Sequence, residues 1–339
     1  MDQNRIPVTI ITGFLGAGKT SLLNKLIAKH PEKKFAVVEN EFGETGIDGG
    51  LIAAASDAIF ELNNGCICCT LGEDFLHTLE NLLGSTYEFD YLLVETTGIA
   101  DPSAIVDAFI TGPTIQKKFR IDSVVCVTDA VNMEDLFDDQ AEIRKQLALA
   151  DLVLLNKMDS VHPDYLSKLS ELIRAVNPIS RICPTSFGNV NDIKVLDTLS
   201  FSGEEIGKSA LAFCRVNTGV NENSPLKSFV HYPKKAKAEH KHDITSVGFT
   251  FQGSFDVNKF GIWLQNYLYF NPDTVFRVKG IMSFHQTEDQ FVLHAVRSNF
   301  MFELGKPWGD LERFSKIVFI GKKLDGRELE ANLLQLLAK

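Results

Sequence analysis

The stretch GFLGAGKT, residues 13–20, constrains the fold of this 339-residue chain more than any other feature. It fits the pattern G-x-x-x-x-G-K-[ST] and stands between a β-branched run, VTIIT, and an amphipathic pattern, SLLNKLIAKH. A strand that passes through glycines directly into a helix is the setting required of a phosphate-binding loop. Glycines leave room for backbone amides to approach an anion, and the helix N-terminus favours negative charge. We therefore expect a nucleotide-phosphate site after the first strand.

The residues of this loop have different expected roles. Lys19 is expected to reach the β- and γ-phosphates, and Thr20 is expected to offer its hydroxyl to Mg²⁺. Backbone amides of the loop and of the first helical turn are expected to contact the phosphates. The residues expected to contact the phosphates through their backbone amides are Gly13, Gly16, Ala17, Gly18 and Ser21.

Short strand-like runs alternate with helical patterns from residue 8 to about residue 186. The runs are VTII, FAVVEN, AIFEL, YLLVE, SVVCVTD, DLVLLN and RICPTS. This alternation indicates an α/β domain with a wound, mainly parallel sheet, which we place over residues 1–216.

A change of composition follows the first domain. Residues 217–243 are polar, basic and rich in turn residues, which predicts a linker. Residues 244–339 contain the runs ITSVGFTFQG, TVFRVKGIMSF, QFVLHAVRS and KIVFIGKKL, with helical patterns near 256–270 and at the end of the chain. We predict a smaller α+β domain there, whose Phe residues fill its core.

Charge and hydropathy exclude several classes of partner. The formal net charge is −10, so the surface repels phosphate backbones, and we expect neither nucleic acid nor membrane as a partner. No apolar run approaches the length that spans a bilayer, and the N-terminus lacks the features of a signal peptide. A cytoplasmic location is expected, where clustered cysteines more often bind metal or act as catalytic thiols than form disulfides.

Two further motifs narrow the nucleotide. YLLVETTG ends a strand with Glu95, whose carboxylate can hold a Mg²⁺-bound water, and Gly98 can offer its amide to the γ-phosphate. DLVLLNKMD ends another strand with Asn156, Lys157 and Asp159. A fixed carboxylate at Asp159 can accept from the two N–H donors on one edge of guanine, which adenine does not present in the same way. The three motifs occur in order, each after a strand, and predict a GTP site.

The segment NNGCICCT contains Cys66, Cys68 and Cys69. Thiolates bind Zn²⁺ and similar ions, and this spacing can supply two or three ligands from one loop. Buried structural thiols are the main alternative. A redox pair is less favoured, because a disulfide between adjacent cysteines is strained and no thioredoxin-like start precedes the motif.

The position of the cysteine segment favours a metal site. In a parallel sheet, ligands bind at the carboxyl ends of the strands, and the phosphate loop, ENEFGE, GCICCT and ETTG each follow a strand. Carboxylates crowd beside the expected triphosphate, an arrangement that calls for cations between them. They are Glu39, Glu41, Glu44 and Asp48. For Glu41 and Asp48 taken singly, a solvated acidic loop is the alternative.

The motifs GFLGAGKT, ENEFGE, GCICCT, ETTG and NKMD, in this order, resemble the CobW family of P-loop GTPases. The C-terminal runs RVKGIMSF, HAVRS, PWGD and KIVFIGKKLD resemble the C-terminal domain of the same family, so that the likeness covers nearly the whole chain. The resemblance implies a GTP-dependent metallochaperone or metal-insertion factor, with GTP, Mg²⁺ and a transition metal bound. It implies Cys66, Cys68 and Cys69 as metal ligands, helped by Glu39 and Glu44. Intrinsic GTP turnover is expected to be slow, because no residue is clearly placed to orient the attacking water and no arginine finger can be named.

Several points stay open at this level. Three thiolates favour Zn²⁺, with Co²⁺ or another divalent transition metal as the alternative. A client metalloprotein is implied but not named, and an oligomer is compatible with the sequence. The rival functions are a regulatory GTPase with a purely structural zinc and, less favoured, a metabolic phosphotransferase.

Several histidines and the remaining cysteines are expected to have ordinary structural roles, and two hydroxyl residues are further candidates for the nucleotide site. His231, His240 and His242 are expected to be solvated linker residues, and His77 a helix-surface residue rather than an outer metal ligand. Cys126, Cys183 and Cys214 are expected to be core thiols. Thr185 and Ser186, after the last strand of the first domain, are candidates for a further guanine contact.

Overall fold

A computed structural model describes residues 5–39, 59–61, 71–96, 98, 101–201 and 244–338. The chain divides into two compact units, one of residues 2–171 with 181–198 and the other of residues 172–180 with 199–339. The predicted linker, 217–243, and the predicted domain boundary at residue 216 lie outside the described residues and stay predictions.

The first unit alternates strands and helices. Its strands are β1 (Ile6–Thr12), β2 (Phe35–Glu39), β3 (Ile59–Glu61), β4 (Tyr91–Glu95), β5 (Phe119–Asp129), β6 (Leu152–Asn156) and β7 (Arg181–Pro184). The helices of this stretch of chain are α1 (Lys19–Lys29), α2 (Leu71–Gly84), α3 (Ser103–Thr111), α4 (Pro113–Lys118), α5 (Met133–Asp139), α6 (Ala141–Leu149) and α7 (Tyr165–Val176). Helix α7 continues into the second unit.

The seven strands form one sheet in the order β3-β2-β4-β1-β5-β6-β7, and every neighbouring pair is parallel. All seven correspond to runs predicted from the sequence. Strands β2 and β6 are buried along their whole length, as expected when helices cover both faces of a parallel sheet. The predicted α/β fold with a wound parallel sheet is therefore confirmed.

The order of the strands determines where ligands can bind. Strand β1 lies between β4 and β5, so the chain winds in opposite directions on the two sides of β1. A crevice forms at such a reversal, outside the carboxyl ends of the strands. Helix α1 packs there through Leu22, Leu23 and Leu26, which join one core cluster with residues of β1 and β5. The phosphate loop thus opens at the crevice.

The second unit contains an antiparallel sheet in the order β11-β10-β9-β12-β8. Its elements are β8 (Ile244–Gln252), α8 (Val257–Phe270), β9 (Val275–Met282), β10 (Asp289–Val296), β11 (Asn299–Pro307), β12 (Phe314–Lys322) and α9 (Gly326–Gln335). Residues of both helices join the sheet in one core cluster rich in phenylalanine. The predicted α+β class is confirmed, and β11 is a strand that the sequence analysis did not identify.

Within the described parts of the chain, no helix combines the length and the apolar composition needed to cross a membrane.

Candidate nucleotide and metal site

The loop between β1 and α1 is shaped to hold an anion. Gly13, Gly16 and Gly18 all have positive φ angles, of 139°, 75° and 103°. A Cβ atom on Gly13 would lie 2.0 Å from the carbonyl oxygen of Val127, and one on Gly18 would lie 2.5 Å from Asn156 Nδ2. Both positions therefore require glycine, since side chains there would collide with neighbouring strands and adopt a strained backbone.

Lys19 begins helix α1 and is buried, with only 7% of its surface exposed. Its Nζ donates to the carbonyl oxygen of Phe14, at 3.3 Å, so the side chain folds back over the loop. The amide of Ala17 donates to the same carbonyl and closes the loop into a tight turn. Ser21 lies exposed in the first turn of the helix. The ammonium group is thus held at the concave side of the loop, where phosphates would be bound.

Thr20 and Glu95 form the next part of the site. The Thr20 hydroxyl donates to Glu95 Oε1, at 3.0 Å, which connects helix α1 to the end of β4. A hydroxyl and a carboxylate are hard oxygen ligands of the kind that Mg²⁺ prefers. The donor set, next to a buried lysine in a glycine cradle, fits a Mg²⁺–nucleotide complex.

Gly98 lies directly against the phosphate loop. A Cβ atom on Gly98 would lie 2.4 Å from the amide nitrogen of Leu15, so only glycine permits this approach. Gln146, buried on α6, donates through Nε2 to the Gly98 carbonyl oxygen, at 3.2 Å. Gln146 therefore fixes the carbonyl side of Gly98, the residue whose amide is expected to meet the γ-phosphate. Sequence reasoning missed this residue, which the helical pattern of α6 does not distinguish from a core position.

Asn156 connects two loops rather than pointing freely at the crevice. Its Nδ2 donates to the carbonyl oxygen of Ala17, at 2.9 Å, and its Oδ1 accepts from the amide of Gly188, also at 2.9 Å. Asn156 is buried at the end of β6. The residue was predicted to bind the nucleotide, and in the structure it ties the phosphate loop to the loop after β7.

Lys157 and Asp159 follow Asn156 in different environments. Lys157 has a left-handed backbone, with φ 62°, and its Nζ donates to Asp129 Oδ2, at 2.8 Å. Asp159 lies exposed in a 3₁₀ turn, Met158–Ser160, where its carboxylate accepts from the Ser160 hydroxyl. The carboxylate is thus accessible to a ligand entering from solvent.

A cavity of about 470 Å³ opens beside this turn. Met158, Thr185 and Ser186 line it together with Phe187, whose ring is 72% exposed. The amide of Met158 donates to the Thr185 carbonyl oxygen, at 3.2 Å, so the two loops are joined where the cavity begins. The structure therefore brings Thr185 and Ser186 near the turn that carries Asp159.

Three glutamates lie at the carboxyl ends of adjacent strands. The Cα position of Glu39 on β2 is in register with Glu61 on β3 and with Glu95 on β4. Adjacent strands are about 4.8 Å apart, so this row of acidic positions crosses the sheet edge in two short steps. Glu39 is itself buried, with 7% of its surface exposed. The row begins at Glu95, which accepts from Thr20, and ends at Glu61, two residues before the cysteine segment in the sequence.

The cysteine segment itself, with Cys66, Cys68 and Cys69, lies outside the described residues, as do Glu41, Glu44 and Asp48. Across the described ranges, no group of three or more His, Cys, Asp and Glu side chains could hold a metal ion. The metal ligand assignments therefore stay predictions. The histidines of the predicted linker also lie outside the described ranges.

The remaining described thiols and His77 have ordinary structural environments. Cys126 is buried on β5, and burial raises the pKa of its thiol to about 12, which makes it unreactive at neutral pH. Cys183 is partly buried against the core cluster of the first unit. His77 lies on the surface of α2, 76% exposed, with its Nδ1 3.6 Å from Glu80 Oε2. The expectation of core thiols and a surface histidine is confirmed for these three residues.

The parallel sheet, the phosphate loop and the acidic strand ends together define a P-loop protein of the nucleotide-binding class. Residues 7–184 match the CobW/HypB/UreG nucleotide-binding domain, and residues 244–337 match the C-terminal domain of the cobalamin synthesis protein cobW. The chain therefore belongs to the CobW/HypB/UreG family, and the predicted family is confirmed.

Curated relatives carry names that agree with the predicted class. The chain is 30% identical to the zinc chaperone YjiA of Escherichia coli over 333 residues, covering 97% of this chain and 98% of that protein. It is 33% identical to the zinc-regulated GTPase metalloprotein activator 1 of Schizosaccharomyces pombe over 220 residues, covering 62% of this chain and 54% of the relative. The family thus includes proteins named as GTPases and as zinc chaperones.

The fold is also similar to that of solved structures. The crystal structure of Zn(II)-bound YjiA GTPase from Escherichia coli has a TM-score of 0.67 and 24% sequence identity, covering 99% of this chain and 100% of that one. The similarity confirms a parallel GTPase-type sheet followed by a C-terminal antiparallel domain.

Proposed function

We propose that this protein is a GTP-hydrolysing metallochaperone whose nucleotide state controls a thiolate metal site at Cys66, Cys68 and Cys69. The observation that carries the proposal is the strand order β3-β2-β4-β1. It brings the phosphate loop, Glu95, Glu39 and Glu61 in sequence along one edge of one sheet, and the cysteine segment follows Glu61 in the sequence. We infer that a change at the γ-phosphate is passed from β4 through β2 to β3, the strand that precedes the cysteine segment in the sequence.

The nucleotide end of the proposed site is built from described side chains. Lys19 supplies positive charge to the β- and γ-phosphates, and the Thr20 hydroxyl and Glu95 carboxylate hold the Mg²⁺ ion and its water. Bound Mg²⁺ offsets the charge that develops on the phosphates. The exposed carboxylate of Asp159 accepts from guanine, which makes GTP the preferred nucleotide over ATP.

The gating step depends on Gly98 and the acidic row. Gly98 lies against Leu15, with its carbonyl oxygen accepting from Gln146, and its amide donates to the γ-phosphate of GTP and loses that partner after hydrolysis. Gly98 lies in the loop after β4, and Glu39 ends the adjacent strand β2. The loops that follow β4 and β2 are therefore drawn together only while the γ-phosphate is bound. GTP then favours a compact arrangement of thiolates, and GDP loosens it. Such couplings are typically about 1–3 kcal/mol, or about 5- to 150-fold in affinity.

Zinc is the proposed cargo. Three thiolates suit Zn²⁺, and a curated relative whose match covers 97% of this chain is named a zinc chaperone. Co²⁺ and other divalent transition metals are the alternative cargo, because selectivity among these ions depends on geometry and supply. The recipient is proposed to be a client metalloprotein that accepts the metal when GTP hydrolysis weakens the thiolate site.

Hydrolysis by the isolated protein is expected to be slow. The sequence identifies no arginine finger and no residue that clearly orients the attacking water. Contact with the client or with the metal is proposed to complete the catalytic arrangement.

The test is a zinc titration with either a non-hydrolysable GTP analogue or GDP bound. Wild type is expected to bind zinc about 5- to 150-fold more tightly with the GTP analogue than with GDP. Cys68→Ala is expected to bind zinc weakly in both states, whereas the matched control Cys183→Ala keeps the wild-type difference. Equal zinc affinities across both nucleotides in wild type would sink the gating proposal.

The same samples separate the proposal from a structural zinc site. A structural zinc contributes folding energy, so its removal would unfold the first unit. We expect the metal-free protein to stay folded and to bind GTP, which circular dichroism and nucleotide titration would measure. Transfer of phosphate to a small-molecule acceptor would instead favour the phosphotransferase.

A further inference from the structure

Asp129 and Lys157 form an ion pair that joins two strand ends in the first unit. Lys157 Nζ donates to Asp129 Oδ2, at 2.8 Å. The two side chains differ in exposure, because the aspartate is only 6% exposed whereas the lysine is 40% exposed. The buried carboxylate is thus the fixed partner, and the lysine approaches it from the solvent-exposed side.

Asp129 is fixed by further contacts on its own side. The amide of Val131 donates to Oδ1, at 2.9 Å, and Asn132 Nδ2 donates to Oδ2, at 2.8 Å. Burial alone would raise the pKa of this carboxyl, but hydrogen bonds from Lys157, Asn132 and Val131 outweigh burial and lower it. Asp129 is therefore a charged acceptor with little freedom to move.

Backbone contacts also join the ends of β5 and β6, where Asp129 and Lys157 lie. Asp129 is in register with Asn156 across β5 and β6, and the amide of Ala130 donates to the Asn156 carbonyl oxygen, at 2.9 Å. Asn156 itself is held by Ala17 and Gly188. Lys157 follows with a left-handed backbone, and Asp129 holds the tip of its otherwise flexible side chain.

We propose that Asp129 is a positioning residue, which fixes the Lys157 ammonium so that the aliphatic stem of Lys157 supports the face of the bound guanine base. The inference rests on the proposed GTP site, because Lys157 stands two residues before Asp159 in the same loop. A lysine stem can cover apolar surface while its ammonium is paired elsewhere. Holding the stem before the nucleotide arrives reduces the ordering that binding requires. The carboxylate thereby acts on affinity without touching the nucleotide.

The test is a double-mutant cycle on nucleotide affinity, measured by titration with a fluorescent GDP analogue and with GTP. Asp129→Asn is expected to raise the dissociation constants of both nucleotides by about tenfold, since interacting pairs couple on this scale. GDP and GTP should be affected equally, because they share the base. In the Lys157→Met background, the same change at Asp129 is expected to alter affinity by less than about twofold.

Two further variants separate positioning from a general loss of folding. Asn132→Ala removes one hydrogen bond to the carboxylate and is expected to weaken binding by about two- to threefold, without removing the buried charge. Asp139→Asn makes the same change of charge at an exposed position of α5 and is expected to leave affinity unchanged. Thermal melts of every variant establish that the measured proteins are folded.

The results separate a failure of the proposed function from a failure of the positioning role of Asp129. Wild type that does not prefer GTP over ATP would contradict the proposed function itself. Wild type that prefers GTP, with Asp129→Asn binding as tightly, would overturn the positioning role. A loss at Asp129 of the same size with and without the Lys157 ammonium would also overturn it, because the carboxylate would then act by another route.

Discussion

The two sheets of this protein bury polar groups in different ways. The parallel sheet has, among its buried polar side chains, a set at the carboxyl ends of its strands, which consists of Thr12, Glu39, Asp129 and Asn156. The antiparallel sheet packs an aromatic core against its helices, formed by Phe249, Phe251, Phe255, Phe260, Phe284 and Phe319. Buried polar groups destabilise a fold unless they are hydrogen-bonded, so a cluster of them at one sheet edge indicates a site.

Polar burial in the second unit has another character. On the face of the antiparallel sheet that carries Lys279 and His294, both side chains pack against the ring of Phe201. Lys279 Nζ lies 5.1 Å from the centre of the Phe201 ring, and it also donates to the carbonyl oxygen of Ser200, at 3.1 Å. His294 stacks on the same ring and is hydrogen-bonded to the Phe201 carbonyl oxygen. These contacts fix Ser200 and Phe201 against the antiparallel sheet. The buried polar side chains at the strand ends of the parallel sheet instead surround a crevice.

The largest effect is expected from the aromatic core. Phe260 is fully buried among Phe255, Phe284 and Phe302. Phe260→Ala should lower the free energy of unfolding of the second unit by about 3–5 kcal/mol, because it removes apolar burial and leaves a cavity. Denaturant unfolding measures the loss. GTP affinity of the folded protein should stay unchanged, and a parallel loss of nucleotide affinity would contradict the division of roles between the two sheets.

The next effect concerns the exposed carboxylate of Asp159, which we propose binds the guanine base. Asp159→Asn should weaken GTP binding, because each guanine N–H left without its acceptor costs about 1–3 kcal/mol. The variant should tolerate xanthine nucleotide, whose ring oxygen can accept from the new amide. Competition titrations with GTP and the xanthine nucleotide measure the change of preference. Unchanged GTP preference would refute the assignment of Asp159.

Glu39 tests the metal end of the same sheet edge. Glu39→Gln keeps the shape of the side chain and removes its charge. We expect zinc affinity to fall by about 10- to 100-fold, which is the effect of losing a supporting carboxylate, while GDP affinity changes little. Zinc titrations with GDP bound measure this loss. A change in nucleotide affinity with zinc affinity intact would place Glu39 at the nucleotide end instead.

The smallest effect is a pH dependence of the second unit. Burial, together with Lys279 and Arg277, lowers the pKa of His294 well below its ordinary value. The unfolded chain therefore binds more protons than the folded protein below pH about 6.5, and stability is lost as the pH falls. The loss should be about 1 kcal/mol at pH 5.5. His294→Gln should abolish this component in pH-dependent melts, whereas His285→Gln, at an exposed position, should retain it.

Much of the fold could be predicted from the sequence, because parallel strands have strong apolar runs and glycines mark the phosphate loop. Strand β11 was missed because it lies at an edge of its sheet, where Leu304 is 63% exposed and the apolar alternation is weak. Asp129 was missed for another reason. Its partner Lys157 is 28 residues away in the chain, and only the pairing of β5 with β6 brings the two together.

The nucleotide motifs were predicted by residue type, but their contacts were not. Asn156 was expected at the nucleotide, and the structure gives it hydrogen bonds to Ala17 and Gly188, which support the loop around the phosphates. Gln146 on α6 had no signal in the sequence, because a buried glutamine in a helix does not indicate which carbonyl it will bind. Such supporting residues depend on tertiary packing, which spacing along the chain does not specify.

The central claim is that nucleotide and metal are coupled through one sheet edge, and reciprocity provides its most direct test. The measurement is the dissociation constant of a non-hydrolysable GTP analogue, and of GDP, with and without saturating zinc. Coupling predicts that zinc strengthens binding of the analogue relative to GDP by the same factor, about 5- to 150-fold, by which the analogue strengthens zinc binding relative to GDP. Cys68→Ala should remove the effect. Identical nucleotide affinities with and without zinc in the wild-type protein would contradict the account.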